Sequence, residues 1–457
     1  MAFRNTTGSA LMLAALMQAL TLAAACGGGD GSKSNATGGS GNEAGADTTP
    51  EGGSLNTGGK RSGGGSGTEG GTTSVGGNDV GTTTPAPEFE GVDIEGVPLT
   101  PTLGCNGGFD ADAKALALTI DEEAHSVLID ATDGNLRANG IVCTTPNGDP
   151  VLAADVDHLS ITGTAGDDTA VIDLLVGDLG NGLLGSEGAI QLDLGGGYDR
   201  LVVRGTRDDD HMACAATSSM PESPLRIDLG SRSHSLKASG IERMVASLGP
   251  GNDSFDGAES SLRCNVPLEL YGGGDSDILQ GGSQNDIING GDGGDEIQMG
   301  ASQDGSDVIN GGNDGDLVSY SKRSKAVTVT LCSAPSLLGC PEEECNCIPE
   351  NGESSENDVI VNVEDIDGGA GNDTLVGDEN SNVLSGKDGN DTLRGLGGAD
   401  QLYGDAGDDI IEGGADADLL IGGTGKNSLD GGDGDDICFV RTTDVSKKSC
   451  ETPVEVL

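Results

Sequence analysis

The chain has 457 residues, and its 76 acidic against 23 basic side chains give a formal net charge of -53 at pH 7. That charge excludes nucleic acid as a partner, because binding a polyphosphate requires clustered Lys and Arg. With 81 Gly, no Trp, five Phe and four Tyr, an aromatic-centred globular core is excluded as well. Two architectures remain: intrinsic disorder, or a repeat fold in which each turn buries a few aliphatic side chains.

Residues 1–25 have the features of an export signal. Residues 9–25 are apolar, follow the basic Arg4 and are too short for a typical permanent bilayer span. The segment ends in the sequence AAAC at residues 23–26, which resembles the lipobox of bacterial lipoproteins. The resemblance implies lipidation of Cys26 and anchoring to a membrane surface. The alternative is an ordinary secretory signal cleaved at nearly the same point, and both interpretations predict export.

Residues 26–89 follow, and their composition predicts a disordered, flexible tether. Within them, residues 27–86 contain 21 Gly among 60 residues, and most of the others are Ser, Thr, Asn and Asp. Such a segment buries too little apolar surface to offset its conformational entropy. A random coil of this composition has an end-to-end distance of roughly 40–45 Å, which would hold the folded part away from a membrane.

Residues 90–271 lack clean repeats but contain short alternating segments typical of strands, at 116–121, 126–131, 158–163 and 224–230. Turns rich in Gly and Asp precede short β-branched runs at 163–173, 194–203 and 248–257. We therefore predict an irregular right-handed β-solenoid for this region. A small β-sandwich is the alternative.

Nine-residue units begin at Gly272. The first tract, residues 272–319, reads GGGDSDILQ, GGSQNDIIN, GGDGGDEIQ, the longer MGASQDGSDVIN, and GGNDGDLVS. The second tract, residues 368–439, has eight more units, from GGAGNDTLV to GGDGDDICF. Asp occupies the sixth position in 11 of 13 units, and Leu, Ile or Val the eighth in 12 of 13. Disorder has no reason to keep an aliphatic residue at this period, so the pattern indicates a repeat fold.

The last three residues of each unit should form a strand whose middle side chain points inward. The first six should form a turn, in which Gly at positions one, two and four permits positive φ. Two units then close one coil, and each strand pairs with the strand two units on. Where position four lacks Gly, most units have Asp or Asn, the types that best tolerate positive φ: Asp275, Asp314, Asn380 and Asp416. Gln284 is the exception.

The units resemble the G-G-x-G-x-D-x-U-x nonapeptide of the RTX, or hemolysin-type, calcium-binding family. The resemblance implies an all-β fold, a parallel β-roll, with Ca²⁺ between the turns of units i and i+2, bound by Asp carboxylates and backbone carbonyls. The implied pairs are Asp277 with Asp295, Asp286 with Asp307, Asp295 with Asp316, Asp373 with Asp391, Asp391 with Asp409, Asp400 with Asp418, and Asp418 with Asp436.

The predicted metal ligands are therefore Asp277, Asp286, Asp295, Asp307, Asp316, Asp373, Asp391, Asp400, Asp409, Asp418 and Asp436. Asn382 and Asn427 replace Asp in two units, which predicts weaker binding there. Equivalent positions before the repeats make three further candidates: Asp168, Asp199 and Asp253. Solvated turns in a disordered tail, and Mg²⁺ in place of Ca²⁺, are the less favoured alternatives.

Residues 320–367 join the tracts and predict a strand pair, 326–331 and 358–366, around a Cys-rich insert. Residues 440–457 should form a C-terminal cap.

Without Cys26, ten of the 11 Cys remain, and an even number in an exported chain favours disulfides. Chain order favours Cys105–Cys143, Cys214–Cys264 and Cys438–Cys450, with two more bridges within 332–347. A soft-metal site at CPEEECNC, residues 340–347, is the alternative for the insert.

An enzyme is not predicted. The four His residues lack H-E-x-x-H spacing, and no G-x-S-x-G precedes a helix. The sequence instead predicts a calcium-binding, exported and lipid-anchored surface protein, with calcium ions, the membrane through Cys26, and an unnamed extracellular matrix or cell-surface molecule as its partners. It would serve adhesion or the organisation of the envelope or matrix. The alternative is a secreted hydrolase with its active site in 90–271.

Overall fold

The structure is a computed structural model that describes residues 105, 108–120, 125–175, 177, 179, 183, 189–216, 225–229, 235–257, 264–331, 351–450 and 452–455. The predicted signal segment 1–25 with Cys26, the tether 26–89 and the Cys-rich insert lie outside these residues. Two short 3-10 turns are Thr132–Gly134 and Ala153–Asp155. In the described part of the chain, no helix is long and apolar enough to cross a bilayer.

Strands dominate the region before the repeats, because apolar and polar residues alternate along it. Ile190, Leu192 and Leu194, for example, are buried between exposed neighbours in one strand. The strands are β1 Phe109–Asp110, β2 Ala115–Thr119, β3 Ser126–Asp130, β4 Arg137–Ala138, β5 Ile141–Val142, β6 His158–Thr164, β7 Thr169–Asp173, β8 Ile190–Gly195, β9 Arg200–Arg204, β10 His211–Ala216, β11 Leu225–Leu229, β12 Ser235–Ser239, β13 Arg243–Pro250 and β14 Ser254–Asp256.

The strands of the repeats and of the segment between them are shorter. In the first tract and the joining segment they are β15 Leu268–Gly274, β16 Ile278–Gln280, β17 Ile287–Asp292, β18 Glu296–Gln298, β19 Val308–Gly312, β20 Leu317–Ser319, β21 Val327–Thr330, β22 Gly352–Glu353, β23 Val359–Val361 and β24 Asp365–Asp367. The second tract and the cap contain β25 Thr374–Val376, β26 Val383–Ser385, β27 Thr392–Leu396, β28 Gln401–Tyr403, β29 Ile410–Ala415, β30 Leu419–Ile421, β31 Ser428–Asp433, β32 Ile437–Val440, β33 Ser446–Lys448 and β34 Thr452–Glu455.

Strands two units apart pair in parallel, so two nine-residue units complete one coil, as predicted. β25, β27, β29 and β31 align one column of central side chains: Leu375, Leu393, Ile411 and Leu429. β26, β28, β30 and β32 align a second column: Leu384, Leu402, Leu420 and Cys438. All eight side chains are buried in one continuous core. The predicted all-β fold with a parallel β-roll is confirmed.

The region before the repeats belongs to the same stack of coils. β7, β9, β13, β15 and β17 pair in parallel in that order, and β10, β14 and β16 do so in a second sheet. Antiparallel pairs interrupt the pattern at β10–β11–β12 and β3–β4–β5. Parallel pairing continuous with the roll supports the predicted irregular solenoid and contradicts the β-sandwich alternative, which requires antiparallel sheets.

Three predicted disulfides are present: Cys105–Cys143, Cys214–Cys264 and Cys438–Cys450. The last joins β32 to the C-terminal cap, where β33 and β34 pair in parallel with β31 and β32. The cap therefore covers the edge that the last coil would otherwise expose. The two bridges predicted within 332–347, and the alternative metal site there, lie outside the described residues.

Candidate metal centre

The first position is Gly in 12 of the 13 units, all but the longer unit that begins at Met299, because a side chain has no room there. A Cβ on Gly395 would lie 2.0 Å from Oδ2 of Asp400 in the same turn and 2.5 Å from the carbonyl oxygen of Gly413, two units on. Its φ is not positive. The expectation that this glycine supplies a positive φ was therefore wrong, since close approach of a carboxylate is the requirement.

Position four behaves as predicted in most units. Gly425 has φ +127, and φ is 69°, 71° and 72° at Asp275, Asp314 and Asp416. Asn380 does not adopt positive φ, so the prediction fails there. Asp tolerates this conformation because its short polar side chain can bond locally.

The sixth-position carboxylates form ladders along the edges of the roll. In each of the seven predicted pairs, the backbone N–H of the first Asp donates to Oδ1 of the second. The N···O distances lie between 2.8 and 3.1 Å, and the pairs are 277/295, 286/307, 295/316, 373/391, 391/409, 400/418 and 418/436. One carboxylate oxygen of each Asp is thus fixed by the neighbouring turn.

The second oxygen is buried without a partner in much of the ladder. Within the described residues, Oδ2 accepts no hydrogen bond in Asp277, Asp295, Asp316, Asp391, Asp400, Asp409 and Asp418. A buried carboxylate oxygen without a hydrogen bond is costly, and a bound cation removes that cost. These orphaned oxygens are the strongest sign of a cation site in this chain.

Burial and crowding raise the pKa of these carboxyl groups. Burial, and next the charge of Asp295, raise the pKa of Asp277 to about 10. Burial likewise raises the pKa of Asp316 to about 9, with Asp295 contributing. In the second tract, burial raises the pKa of Asp400 to about 7 and that of Asp418 to about 6. The ladder without metal ions therefore favours protons at neutral pH, mostly in the first tract.

Backbone carbonyls complete the oxygen environment. A Cβ on Gly407 would lie 1.4 Å from the carbonyl oxygen of Gly389, and one on Gly425 would lie 1.8 Å from that of Gly407. Each turn thus points a carbonyl into the next turn. Among the described residues, no group of three or more Asp, Glu, His or Cys side chains is arranged to hold a metal ion. A cation would therefore rely on backbone oxygens as well as carboxylates, a donor set that fits Ca²⁺ with its six to eight oxygen ligands.

Other predicted ligands are arranged differently. Both oxygens of Asp286 accept backbone hydrogen bonds, from Leu268 at 2.8 Å and Gly282 at 2.6 Å. Asp373 does the same with the N–H groups of Val327 and Gly369. For both Asp286 and Asp373, the segment that comes directly before on the same edge of the roll is not a repeat turn. Their metal-binding role stays a prediction.

Asn427 keeps the ladder hydrogen bond without the charge, whereas the side chain of Asn382 is bonded differently. Oδ1 of Asn427 accepts the Asp409 N–H at 2.9 Å, as an Asp would. Oδ1 of Asn382 accepts the N–H of Asp378, and its Nδ2 donates to the carbonyl of Glu364. An amide offers one acceptor and no charge, so both positions suit a turn better than a cation site.

Some acidic residues that extend the ladder were missed from the sequence. Asp358 accepts the Asp307 N–H at 3.0 Å, Glu364 accepts that of Asp316 at 2.8 Å, and Asp444 accepts that of Asn427 at 3.2 Å. Asp358 and Glu364 stand two positions before a buried Ile, the spacing that a repeat has between its sixth and eighth positions. That spacing could have identified them without the glycines.

A different arrangement occurs between the tracts, in what we call the Arg323 cluster: Arg323, Asp304, Glu353 and Glu356. The Arg323 side chain is fully buried. Its guanidinium lies 2.5 Å from Asp304, 2.8 Å from Glu356 and 3.3 Å from Glu353. Asp304 is the sixth residue of the longer unit, and its Oδ2 accepts the Gly300 N–H as in a repeat turn. Here an arginine supplies the positive charge at a repeat edge.

Comparison with protein families identifies the repeats. The RTX calcium-binding nonapeptide repeat family, whose profile spans four copies, matches residues 269–300, 365–384, 376–411, 385–420 and 412–440. The chain carries RTX calcium-binding repeats. The RTX matches cover most of both tracts and leave the region before residue 269 unmatched. A comparison with curated proteins found no significant match to this chain.

Proposed function

We propose that this RTX protein is a non-enzymatic, calcium-stabilised protein of the bacterial surface, exported, lipid-anchored through Cys26 and carried on the tether 26–89. Its roll serves as a rigid module for adhesion or for organising the envelope or matrix. The observation that carries the proposal is the ladder of buried Asp oxygens without partners. Such a ladder needs a supply of divalent cations, and extracellular calcium modules operate at Kd values of about 10⁻⁴–10⁻³ M.

Two features support an extracellular setting. The bridges Cys105–Cys143, Cys214–Cys264 and Cys438–Cys450 suit an oxidising compartment. RTX repeat proteins are typically secreted. The lipid anchor itself rests on the sequence at residues 23–26.

A second candidate, a hydrolase with its site in 90–271, has one contact in its favour. His211 Nδ1 lies 2.7 Å from Ser254 Oγ, on neighbouring strands β10 and β14. A base beside a hydroxyl is the arrangement of an activated nucleophile. His211 is exposed, however, and an open strand face does not exclude water. Turnover of ester, peptide or glycoside substrates that is abolished by Ser254→Ala would favour this candidate.

The proposed function is tested in bacteria that express the full chain or its Cys26→Ser variant. We expect palmitate labelling and membrane retention of the parent, loss of both in the variant, and access of external protease to the parent in intact cells. Adhesion of cells to matrix-coated surfaces should require the parent and Ca²⁺, and EGTA should abolish it. An unlabelled parent contradicts the anchor, and adhesion unaffected by EGTA contradicts the role of the roll.

A further inference from the structure

The sixth-position carboxylates fall into two groups, and the difference depends on position in the stack. At Asp168, Oδ1 contacts His125 Nδ1 at 2.9 Å, and Oδ2 accepts hydrogen bonds from the N–H and the hydroxyl of Thr164. At Asp210, Oδ2 accepts the same two bonds from Thr206. We call this arrangement closed, because an oxygen that could face a cation is used by the residue's own turn.

The open arrangement occurs where the turn of another sixth-position residue stands directly before on the same edge. Oδ1 then accepts the N–H of the preceding sixth residue, and Oδ2 is buried without a partner, as in Asp295 and Asp409 of the repeats. Two residues before the first repeat tract have this open arrangement: Asp199 and Asp253. They are 0 % and 2 % exposed, and within the described residues their Oδ2 atoms accept no hydrogen bond.

The surroundings of Asp199 repeat the donor set of the roll. Its Oδ1 accepts the Asp168 N–H at 2.8 Å. Carbonyl oxygens of the preceding turn point at its own turn: a Cβ would lie 2.1 Å from Thr164 O if built on Gly195 and 2.5 Å from Gly166 O if built on Gly197. The turn that carries Asp199 thus lies directly against the second- and fourth-position carbonyls of the turn before it.

Asp253 stands in the same relation to the turn that ends at Asp210. Its Oδ1 accepts the Asp210 N–H at 2.6 Å, and a Cβ on Gly251 would lie 3.1 Å from the carbonyl oxygen of Asp208. The open cleft beside these turns is lined by Arg207, Asp208, Asp209, Pro250, Gly251, Asn252 and Asp275. The carboxylates on that list outnumber the single Arg, so the approach to the site is acidic.

We propose that Asp199 and Asp253 hold two divalent cations, with Ca²⁺ as the expected ion, in the region before the RTX repeats. The inference rests on the calcium binding of the roll and extends it by two coils. Both turns begin with Leu, at residues 194 and 248, where a repeat has Gly. That departure removes them from the nonapeptide motif while the oxygen ligands remain.

The test is a count of bound Ca²⁺ per full-length chain, by equilibrium dialysis at saturating Ca²⁺ with elemental analysis of the protein. We expect Asp199→Asn and Asp253→Asn each to bind one ion fewer than the parent, and the double variant two fewer. The closed-group variants Asp168→Asn and Asp210→Asn are the matched controls and should keep the parent count. Parent counts in Asp199→Asn and Asp253→Asn overturn the proposal, and a parent that binds no Ca²⁺ overturns the function of the roll as well.

The Asn variants should fold, because Asn427 occupies an equivalent ladder position and its Oδ1 makes the same hydrogen bond. A measurement on the unsubstituted chain does not depend on whether the variants fold. Amide exchange in peptides covering 163–171 and 205–213 is followed in the full chain as Ca²⁺ is raised from zero. We expect at least tenfold slower exchange of the turn amides at saturation. Exchange that does not respond to Ca²⁺ contradicts the proposal.

Discussion

The repeat edges and the Arg323 cluster treat buried carboxylates in opposite ways. Along the edges, Asp295 and Asp316 stack with Oδ2 atoms that find no partner among the described residues. In the cluster, the buried Arg323 guanidinium contacts Asp304, Glu353 and Glu356. The Arg323 guanidinium is part of the chain and is present at every calcium concentration. The carboxylates of the repeat edges need cations from solution. We therefore expect the Arg323 cluster to keep its structure without calcium, while the repeat edges on either side of it need the ion.

The largest expected effect is on the pH dependence of the calcium-free chain, because many edge carboxyls shift together. Burial raises the pKa of Asp277 to about 10, of Asp307 to about 9 and of Asp391 to about 7. A carboxyl whose folded-state pKa is raised stabilises the fold below its unfolded pKa, and that contribution is lost as pH rises through the folded value. Urea midpoints in metal-free buffer should be higher at pH 5 than at pH 8.

Saturating Ca²⁺ should reverse that order, because protons compete with the ion for the same oxygens. A metal-free chain that is more stable at pH 8 than at pH 5 would contradict the carboxylate account.

Arg323→Met tests the Arg323 cluster. It leaves the buried carboxylates of Asp304 and Glu356 without their cation, while Glu353 keeps its ion pair with Lys325 at 2.6 Å. Breaking a buried pair in this way costs about 3–5 kcal/mol even at saturating Ca²⁺. The matched control is Arg394→Met: Arg394 lies 2.9 Å from Glu412, and both side chains are 50 % exposed. An exposed pair contributes about 1 kcal/mol or less. If the two variants lose the same free energy of unfolding in urea, the Arg323 cluster contributes no more to stability than an exposed ion pair.

Asp400→Asn tests one edge site. The variant keeps the Oδ1 acceptor for the Asn382 N–H but loses the charge. We expect one Ca²⁺ fewer per chain and a loss of about 2.7 kcal/mol at a free Ca²⁺ of 100 Kd. The exposed Asp388→Asn is the control and should change neither value. An unchanged ion count in Asp400→Asn would remove that residue from the ligands.

Asn427→Asp is the reverse experiment and has the smallest expected effect. The turn geometry is already that of a ladder residue, so the added carboxylate should create one site. At a free Ca²⁺ of ten times Kd, one further ion stabilises the fold by about 1.4 kcal/mol. Calorimetric melting in Ca²⁺ should rise, while a variant that melts lower in Ca²⁺ would show that the site cannot form.

The parts of the fold that follow from local spacing could be predicted from the sequence. Leu375 and Leu393 recur at a fixed period. The central side chain of a three-residue strand points to one face of the sheet, so these aliphatic residues are expected in the core. The same spacing brought together the Asp pairs, and chain order alone indicated the three described disulfides. Each of these features depends on residues close in sequence or on strict repetition.

Features that depend on contacts between non-repeating segments could not be predicted. Arg323 reaches Asp304 and Glu356 across a break in the repeat pattern, so no periodicity marks it. Asp444 of the cap joins the ladder through the Asn427 N–H, outside the repeat pattern. The close approach at position one also required coordinates, because Gly in a sequence does not distinguish positive φ from lack of space.

The most direct test of the account is the response of the full-length chain to calcium. Far-ultraviolet circular dichroism and thermal melting at pH 7.5 are compared in EGTA, in excess Mg²⁺ and in excess Ca²⁺. We predict that Ca²⁺ increases β content and raises the melting temperature strongly, while Mg²⁺ does so weakly, since a ligand that binds only the folded state must stabilise it. Equal β content and equal melting temperature in EGTA and Ca²⁺ would contradict the account.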